Sequence, residues 1–361
     1  MFFRIKYRLM RWDFLILFLL LSVIPLFSQA GRRNHDFSEA SFRLRVEQSA
    51  AANADNPTDD DEIRIDTDLV VFPVRISQRG DTPAGNLTKS DFRIYENGRE
   101  QEISYFAGLD EPFTVAILID ISYSTVFKIE ELKAAASAFV EQLSPNDRVA
   151  IIAFDQRPYL LTKPTTNRAA TRLAIDSIRT GSGTSLYDAL DLAFRQIADY
   201  RGRKAVVLLS DGVDTTSQLT NPRRIREAII EEDVIIYSIR YDTFRDVERL
   251  RKRDAEIVYD DNDRPMIVYK PPQAGERDKD YRSAREFLEN ASVVTGGRVF
   301  EARRVRDLRR IFSEIANELR KTYVIGYYPS DGREMIRDYT LKIRVLKPDL
   351  QIESNRRLRS R

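Results

Sequence analysis

The chain has 361 residues, 58 Lys plus Arg against 56 Asp plus Glu, no Cys and a single His, His35. A net charge of +2 excludes the basic excess of a nucleic-acid binder, and 32% charged residues exclude a membrane bundle. Without Cys there is no thiol nucleophile, disulfide framework or thiolate metal site, and without a His beyond the N-terminal stretch there is no Ser-His-Asp triad or ordinary zinc site.

Any metal binding must therefore run on oxygen ligands, which suit Mg²⁺, Mn²⁺ or Ca²⁺. The 42% apolar content allows a sizeable core. In chain order, Arg4, Lys6, Arg8 and Arg11 flank an almost wholly apolar run over 14–27, followed by Ser28-Gln29-Ala30. This pattern predicts a secretory signal peptide over 1–30. The run is shorter than the ~20 residues of a spanning helix. An uncleaved N-terminal segment is the alternative, and the one route to a membrane. Residues 31–61 are polar and read as a flexible linker containing His35. The protein is expected to be exported: periplasmic, at the cell surface or secreted.

Residues 62–110 read as a β segment. A strand-like run covers 69–76, and Phe92-Arg93-Ile94-Tyr95 leads through Asn97-Gly98 to Ile103-Ser104-Tyr105. Asn-Gly between alternating segments predicts a hairpin, because both residues tolerate positive φ. From 111 to 322 the texture changes. Apolar runs at 114–119, 149–154, 205–209 and 234–239 read as buried strands. Between and after them, helical spacing covers 129–143, 171–178, 186–197, 284–294 and 308–319, and 158–162 reads as an edge strand. Asn221-Pro222 reads as a cap and first residue of a helix to about Glu232. The alternation predicts a doubly wound, mostly parallel α/β sheet flanked by helices. Residues 242–281 break the rhythm and read as a charged insertion with a small hairpin at 257–258 and 266–268. Residues 323–350 hold two final strands, predicted to pair with the N-terminal β segment. The α/β domain would then sit inserted in a small β-domain, followed by a basic tail over 351–361.

Chemistry concentrates in three loops. Asp120-Ile121-Ser122-Tyr123-Ser124 directly follows the first buried strand, Thr184 lies in Gly181-Ser182-Gly183-Thr184-Ser185 before a helix, and Asp211 ends a strand in Ser210-Asp211-Gly212. In an open α/β sheet, ligands bind outside the carboxyl ends of the strands. An Asp-x-Ser-x-Ser loop alone is weak, since Ser and Asp are ordinary turn residues; three pieces in order are harder to obtain by chance. Together they resemble the metal-ion-dependent adhesion site of von Willebrand factor type A domains, with the resemblance covering about 113–321. It implies Asp120, Ser122, Ser124, Thr184 and Asp211 as ligands of one divalent ion or as partners of those ligands. Mg²⁺ is the first expectation, with Mn²⁺ or Ca²⁺ as alternatives. Tyr123 departs from the Gly most common there, which could narrow access without removing a ligand. The flanking strands, with Asp91-Phe92 and Gly326-Tyr327-Tyr328-Pro329, more weakly resemble bacterial relatives of the family.

The resemblance implies binding rather than turnover: a partner protein's Asp or Glu displaces a metal-bound water. Two alternatives stand beside it, a structural envelope protein with a vestigial site and a metal-dependent hydrolase built on Asp120 and Asp211. Against the hydrolase, no general base with an activator is evident. Asp260-Asp261-Asn262-Asp263 lacks the spacing of a calcium loop and reads as a solvated acidic turn, and 181–184 lacks the Gly-Lys-Ser/Thr ending of a phosphate loop.

Overall fold

This computed structural model describes residues 69–78, 86–122, 129–259, 265–304, 306–329 and 340–352. The expected signal segment, the linker, Ser124 and the acidic turn at Asp260 lie outside the described residues.

Among the described residues, fifteen strands and seven α-helices follow one another as β1 (Val70–Gln78), β2 (Phe92–Glu96), β3 (Arg99–Gln101), β4 (Ile103–Ala107), β5 (Phe113–Asp120), α1 (Ile129–Gln142), β6 (Arg148–Phe154), β7 (Pro158–Thr165), α2 (Arg168–Asp176), α3 (Leu186–Ile197), β8 (Arg203–Ser210), α4 (Pro222–Glu231), β9 (Ile235–Arg240), α5 (Phe244–Arg253), β10 (Glu256–Tyr259), β11 (Pro265–Val268), α6 (Asp278–Val294), β12 (Val299–Glu301), α7 (Asp307–Arg320), β13 (Thr322–Tyr327), β14 (Leu341–Val345) and β15 (Leu350–Ile352).

Six of the strands form one sheet in the order β12-β9-β8-β5-β6-β7, parallel except for β7 at one edge. Strands buried on both faces must be apolar throughout. Accordingly β5 and β9 are buried along their full lengths. Residues alternate between two cores. Val115, Ile117 and Ile119 pack with α1, α2 and α7, while Ala116 and Leu118 pack with α3, α4 and α6. Each fully buried Ile or Leu contributes roughly 1.5–3 kcal/mol. The expected cap on α4 is present: the Asn221 side chain accepts from the N–H groups of Arg223 and Arg224, with Pro222 in the first turn.

The chain on either side of this sheet builds a second, β-only layer pair. One sheet runs β15-β1-β13-β4, the other β14-β2-β3. Phe72, Val74, Phe92, Ile94, Tyr323, Ile325, Tyr327 and Ile343 fill the space between them. The β2–β3 turn uses Asn97 (φ 49°) and Gly98 (φ 85°), as a two-residue hairpin with two positive φ angles requires. The α/β fold is thus inserted in a small β-domain, as expected.

The chain passes between the two parts at 108–112 and at the end of α7. Arg203 binds both crossings. Its guanidinium donates to the carbonyls of Leu109 (3.0 Å), Glu111 (2.8 Å from Nε), Leu319 (3.2 Å) and Thr322 (3.0 Å). It also lies over the Phe113 ring, 4.1 Å from the centroid.

The described part of 242–281 holds more order than its charge suggests. It contains α5, whose residues include none that is buried, and the hairpin β10–β11. Helix α6 begins at Asp278, six residues before the apolar spacing predicts, because its first turn is charged.

Candidate metal centre

Three loops meet at the carboxyl ends of β5 and β8, where the chain order reverses across the sheet. Strand β5 ends on Asp120, which is fully shielded from solvent. Its Oδ1 accepts the Ser122 N–H at 3.0 Å and its Oδ2 accepts the Ser210 hydroxyl at 2.7 Å. The Ser210 oxygen in turn accepts the Gly212 N–H at 2.9 Å. Asp211, just past β8, is also buried. Its Oδ1 accepts the Val213 N–H at 3.0 Å and its Oδ2 accepts the Thr243 hydroxyl. Thr243 Oγ1 lies 3.1 Å from the Tyr281 hydroxyl.

Backbone bonds lace the third loop to the other two. The Gly181 N–H donates to the Ile121 carbonyl at 2.8 Å, and the N–H groups of Thr215 and Thr216 donate to the Thr184 carbonyl at 2.8 and 3.0 Å. Thr184 N–H donates to Thr215 Oγ1 at 3.0 Å. Gly212 holds φ +85°, and a Cβ there would meet Leu288 Cδ1 at 2.7 Å, so the turn after Asp211 needs glycine on both counts. Farther along, the Asp188 carboxylate at the start of α3 accepts from the N–H groups of Gln218, Leu219 and Thr220 and fixes the end of this loop.

The electrostatics follow from burial. Loss of solvent, then the Asp211 charge, push Asp120 up to about 7, against the bonds from Ser122 and Ser210. Burial likewise raises Asp211, against the bonds from Thr243 and Val213. Asp242 raises Asp211 further and Arg240 lowers it; the Arg240 guanidinium is itself engaged by Glu301 through two bonds of 2.7 Å. Tyr241, just past β9, is buried with a hydroxyl that has no hydrogen-bond partner among the described residues. Both carboxylates add to the burial that holds it well above its ordinary range.

Of the five residues expected from the sequence, Asp120, Ser122, Thr184 and Asp211 lie in these joined loops; Ser124 is outside the described residues. Ser210, Thr243, Tyr241 and Tyr281 were not anticipated. Ser210 stood in a quoted motif, and its place beside the Asp120 carboxylate could have been inferred from the parallel pairing of β5 with β8. Among the described residues no three His, Cys, Asp or Glu side chains cluster to hold a metal. The candidate set has two carboxylates and is completed by hydroxyls. Two buried, mutually repelling carboxylates beside an unpartnered hydroxyl are a donor set that fits a hard cation and not a soft one.

Fold and loops together define a doubly wound α/β domain with a cluster of buried oxygen-bearing side chains at its switch point. Residues 115–213 match the model of the von Willebrand factor type A domain, and this part of the chain is such a domain. Over 224 residues it is 23% identical to a UPF0353 protein of Mycolicibacterium gilvum and 24% identical to one of Mycolicibacterium vanbaalenii, covering 57% of this chain in each case. The chain spans 60% of the length of these curated relatives. Among solved structures it is similar to a von Willebrand factor type A protein from Catenulispora acidiphila (12% identity, TM-score 0.44, 79% of this chain and 71% of that one). It is also similar to an aerotolerance-related membrane protein from Bacteroides fragilis (15%, 0.40, 58% and 100%) and to mussel byssus proximal thread matrix protein 1, described with a zinc-occupied MIDAS motif (15%, 0.42, 61% and 48%). No helix among the described residues is long and apolar enough to cross a membrane.

Proposed function

We propose that the domain is a binding module that holds one hard divalent cation, Mg²⁺ first, and through it takes the Asp or Glu carboxylate of a partner protein. The observation that carries this reading is the buried Asp120–Asp211 pair: among the described residues neither carboxylate is in a salt bridge, and Arg240, whose charge acts on Asp211, is itself paired with Glu301. A cation would relieve both the desolvation and the repulsion. A carboxylate offers about four acceptor positions; Asp211 accepts from the Val213 N–H and the Thr243 hydroxyl, and Asp120 from the Ser122 N–H, the Ser122 side chain and the Ser210 hydroxyl, so lone pairs remain for an ion. Ser122, Thr184 and, by the family resemblance, Ser124 would supply hydroxyl oxygens or hold metal-bound water. The bound ion supplies an electrophilic point of attachment; the protein's task is to fix the oxygens and leave a position open. Binding rather than catalysis is favoured because the titratable groups among the described residues at the site are the carboxylates themselves and tyrosines raised far from neutrality. Export, also proposed, rests on the basic and apolar pattern of residues 4–30; cell fractionation tests it.

Calorimetric titration of the purified chain with Mn²⁺ and Mg²⁺ tests the reading, alongside thermal unfolding with and without metal. Saturable binding to one site and a concentration-dependent rise in unfolding temperature are expected, because a ligand of the folded state must stabilise it. Absence of both in the wild type would reduce the loops to structural turns.

A further inference from the structure

Strands β8 and β9 run parallel with Ser210 paired to Arg240, so Asp211 and Tyr241 are the next residues to leave neighbouring strands at the same end of the sheet. The Tyr241 side chain is 4% exposed and belongs to the core that also holds Ile121, the residue after Asp120. Its backbone is fastened on both sides. The Arg240 carbonyl accepts the Ala302 N–H at 2.8 Å, and the Thr243 hydroxyl donates to Asp211. The ring therefore cannot turn its hydroxyl out to solvent.

That hydroxyl has no hydrogen-bond partner among the described residues, although the charges of Asp120 and Asp211 both act on it. The hydroxyls of Ser210 and Thr243 are already committed. Ser210 donates to Asp120 and accepts from the Gly212 N–H, and Thr243 is engaged by Asp211 and Tyr281. A buried donor left without a partner is costly, and folded chains keep few of them. Phenylalanine would fill the same place in an apolar core without that cost. The oxygen thus has a use only toward a polar group that is not part of the chain and that sits beside both carboxylates.

We propose that Tyr241 is a positioning residue of the metal centre, and that its hydroxyl takes its partner from the hydration water of the ion held by Asp120 and Asp211. This inference rests on the metal-binding reading above. A hard cation such as Mg²⁺ keeps several of its waters, and a phenol hydroxyl can both donate and accept. Burial and the two carboxylates keep the phenol protonated. It therefore adds a hydrogen bond without adding charge, and leaves the ion's pull on a partner's carboxylate undiminished.

Tyr241→Phe tests this, since it removes one oxygen and keeps the ring. The full chain is unfolded in urea with chelator and, separately, titrated with Mn²⁺ by calorimetry. Tyr237→Phe serves as the control. Tyr237 lies four residues earlier in the same core, and its hydroxyl accepts from Arg75 Nη1 at 3.5 Å. Without metal, Tyr241→Phe should be at least as stable as the wild type. It should bind Mn²⁺ about tenfold more weakly, as when a group that orients a metal's own shell is removed. Tyr237→Phe should keep the wild-type affinity. Wild-type affinity in Tyr241→Phe overturns the proposal, because the hydroxyl would then serve an ordinary trapped water. A Tyr241→Phe protein less stable in chelator, or unable to fold, overturns it too, because the hydroxyl would then have a partner without the ion. Equal loss of affinity in Tyr237→Phe does the same, by making the effect one of core packing. Failure of the metal-binding reading itself is told apart by the wild type alone, which would then bind no Mn²⁺.

Discussion

Replacing Asp120 by Asn should stabilise the metal-free protein while abolishing its response to metal. The amide preserves the shape of the carboxylate, and its Oδ1 can still accept the Ser122 N–H now made at 3.0 Å. The Ser210 hydroxyl, 2.7 Å away, can rotate from donor to acceptor. What changes is charge. The folded protein holds Asp120 at about 7, up from 3.8, with burial the larger cause and the Asp211 charge the next. The group therefore binds its proton more tightly when folded. Stability from the neutral form is complete below the unfolded value near 4 and is lost as pH rises through about 7. Three pH units correspond to roughly 4 kcal/mol as an upper bound, and relaxation of the loops should leave about 1–3 kcal/mol. Urea unfolding in chelator should show Asp120→Asn more stable than wild type by that amount at pH 8, and nearly equal to it at about pH 3, below the unfolded value. Adding Mn²⁺ at pH 8 should raise wild-type stability and leave the variant unchanged. A variant destabilised at both pH values would refute the reasoning, because it would mean that the ionised carboxylate is held by favourable contacts rather than strained by burial.

Arg203→Met should cost about 3–5 kcal/mol in urea unfolding, since it orphans the carbonyls of Leu109, Glu111, Leu319 and Thr322 at both chain crossings. Asp188→Ala frees the N–H groups of Gln218, Leu219 and Thr220; we expect a loss of about 2 kcal/mol and faster proteolysis within 214–220. Burial also raises Asp233 to about 7, so its stabilising neutral form is lost as pH rises through that value. Because its side chain keeps some exposure, Asp233→Asn should gain only about 1 kcal/mol at pH 8 and almost nothing at about pH 3, by the same assay.

The parallel sheet was legible because strands covered on both faces must be uninterrupted apolar runs, and β5, β6, β8 and β9 are such runs. Helix α5 was not, because Phe244–Arg253 buries no residue and so writes no apolar stripe into the sequence. Strand β15 is only three residues long, too short for any period to register. The same logic divides the site. Asp120 and Asp211 announce themselves by ending apolar runs. Ser210 acts on Asp120 from 90 residues away and Thr243 on Asp211 from 32, through sheet pairing that no local pattern encodes. Tyr241 is a polar group just past an apolar strand, and its unpartnered hydroxyl becomes meaningful only once its neighbours are known.

Thr243 shows how far the site depends on such remote groups. It begins the inserted segment, and Tyr281, 3.1 Å from its hydroxyl, lies in the helix where that segment returns. Both ends of the insertion are therefore fastened to Asp211. Phe244 and Tyr281 reinforce the junction with an edge-on ring contact, centroids 5.2 Å apart. Thr243→Val removes the one hydroxyl that both orients Asp211 Oδ2 and lowers its proton affinity, against the burial that raises it. The valine has nearly the same shape, so packing persists while a buried carboxylate oxygen and the Tyr281 hydroxyl each lose a partner. The metal-free protein should lose about 1–3 kcal/mol. If Asp211 serves the ion, Mn²⁺ affinity should also fall about 10–100-fold, as when a partner that orients a ligand is removed. Tyr281→Phe separates the two effects. It leaves the Thr243 bond to Asp211 intact, so it should loosen the insertion, seen as faster hydrogen exchange in α5, with metal affinity nearly unchanged. Equal loss of Mn²⁺ affinity in both variants would mean that the insertion as a whole, rather than the bond to Asp211, holds the site in shape.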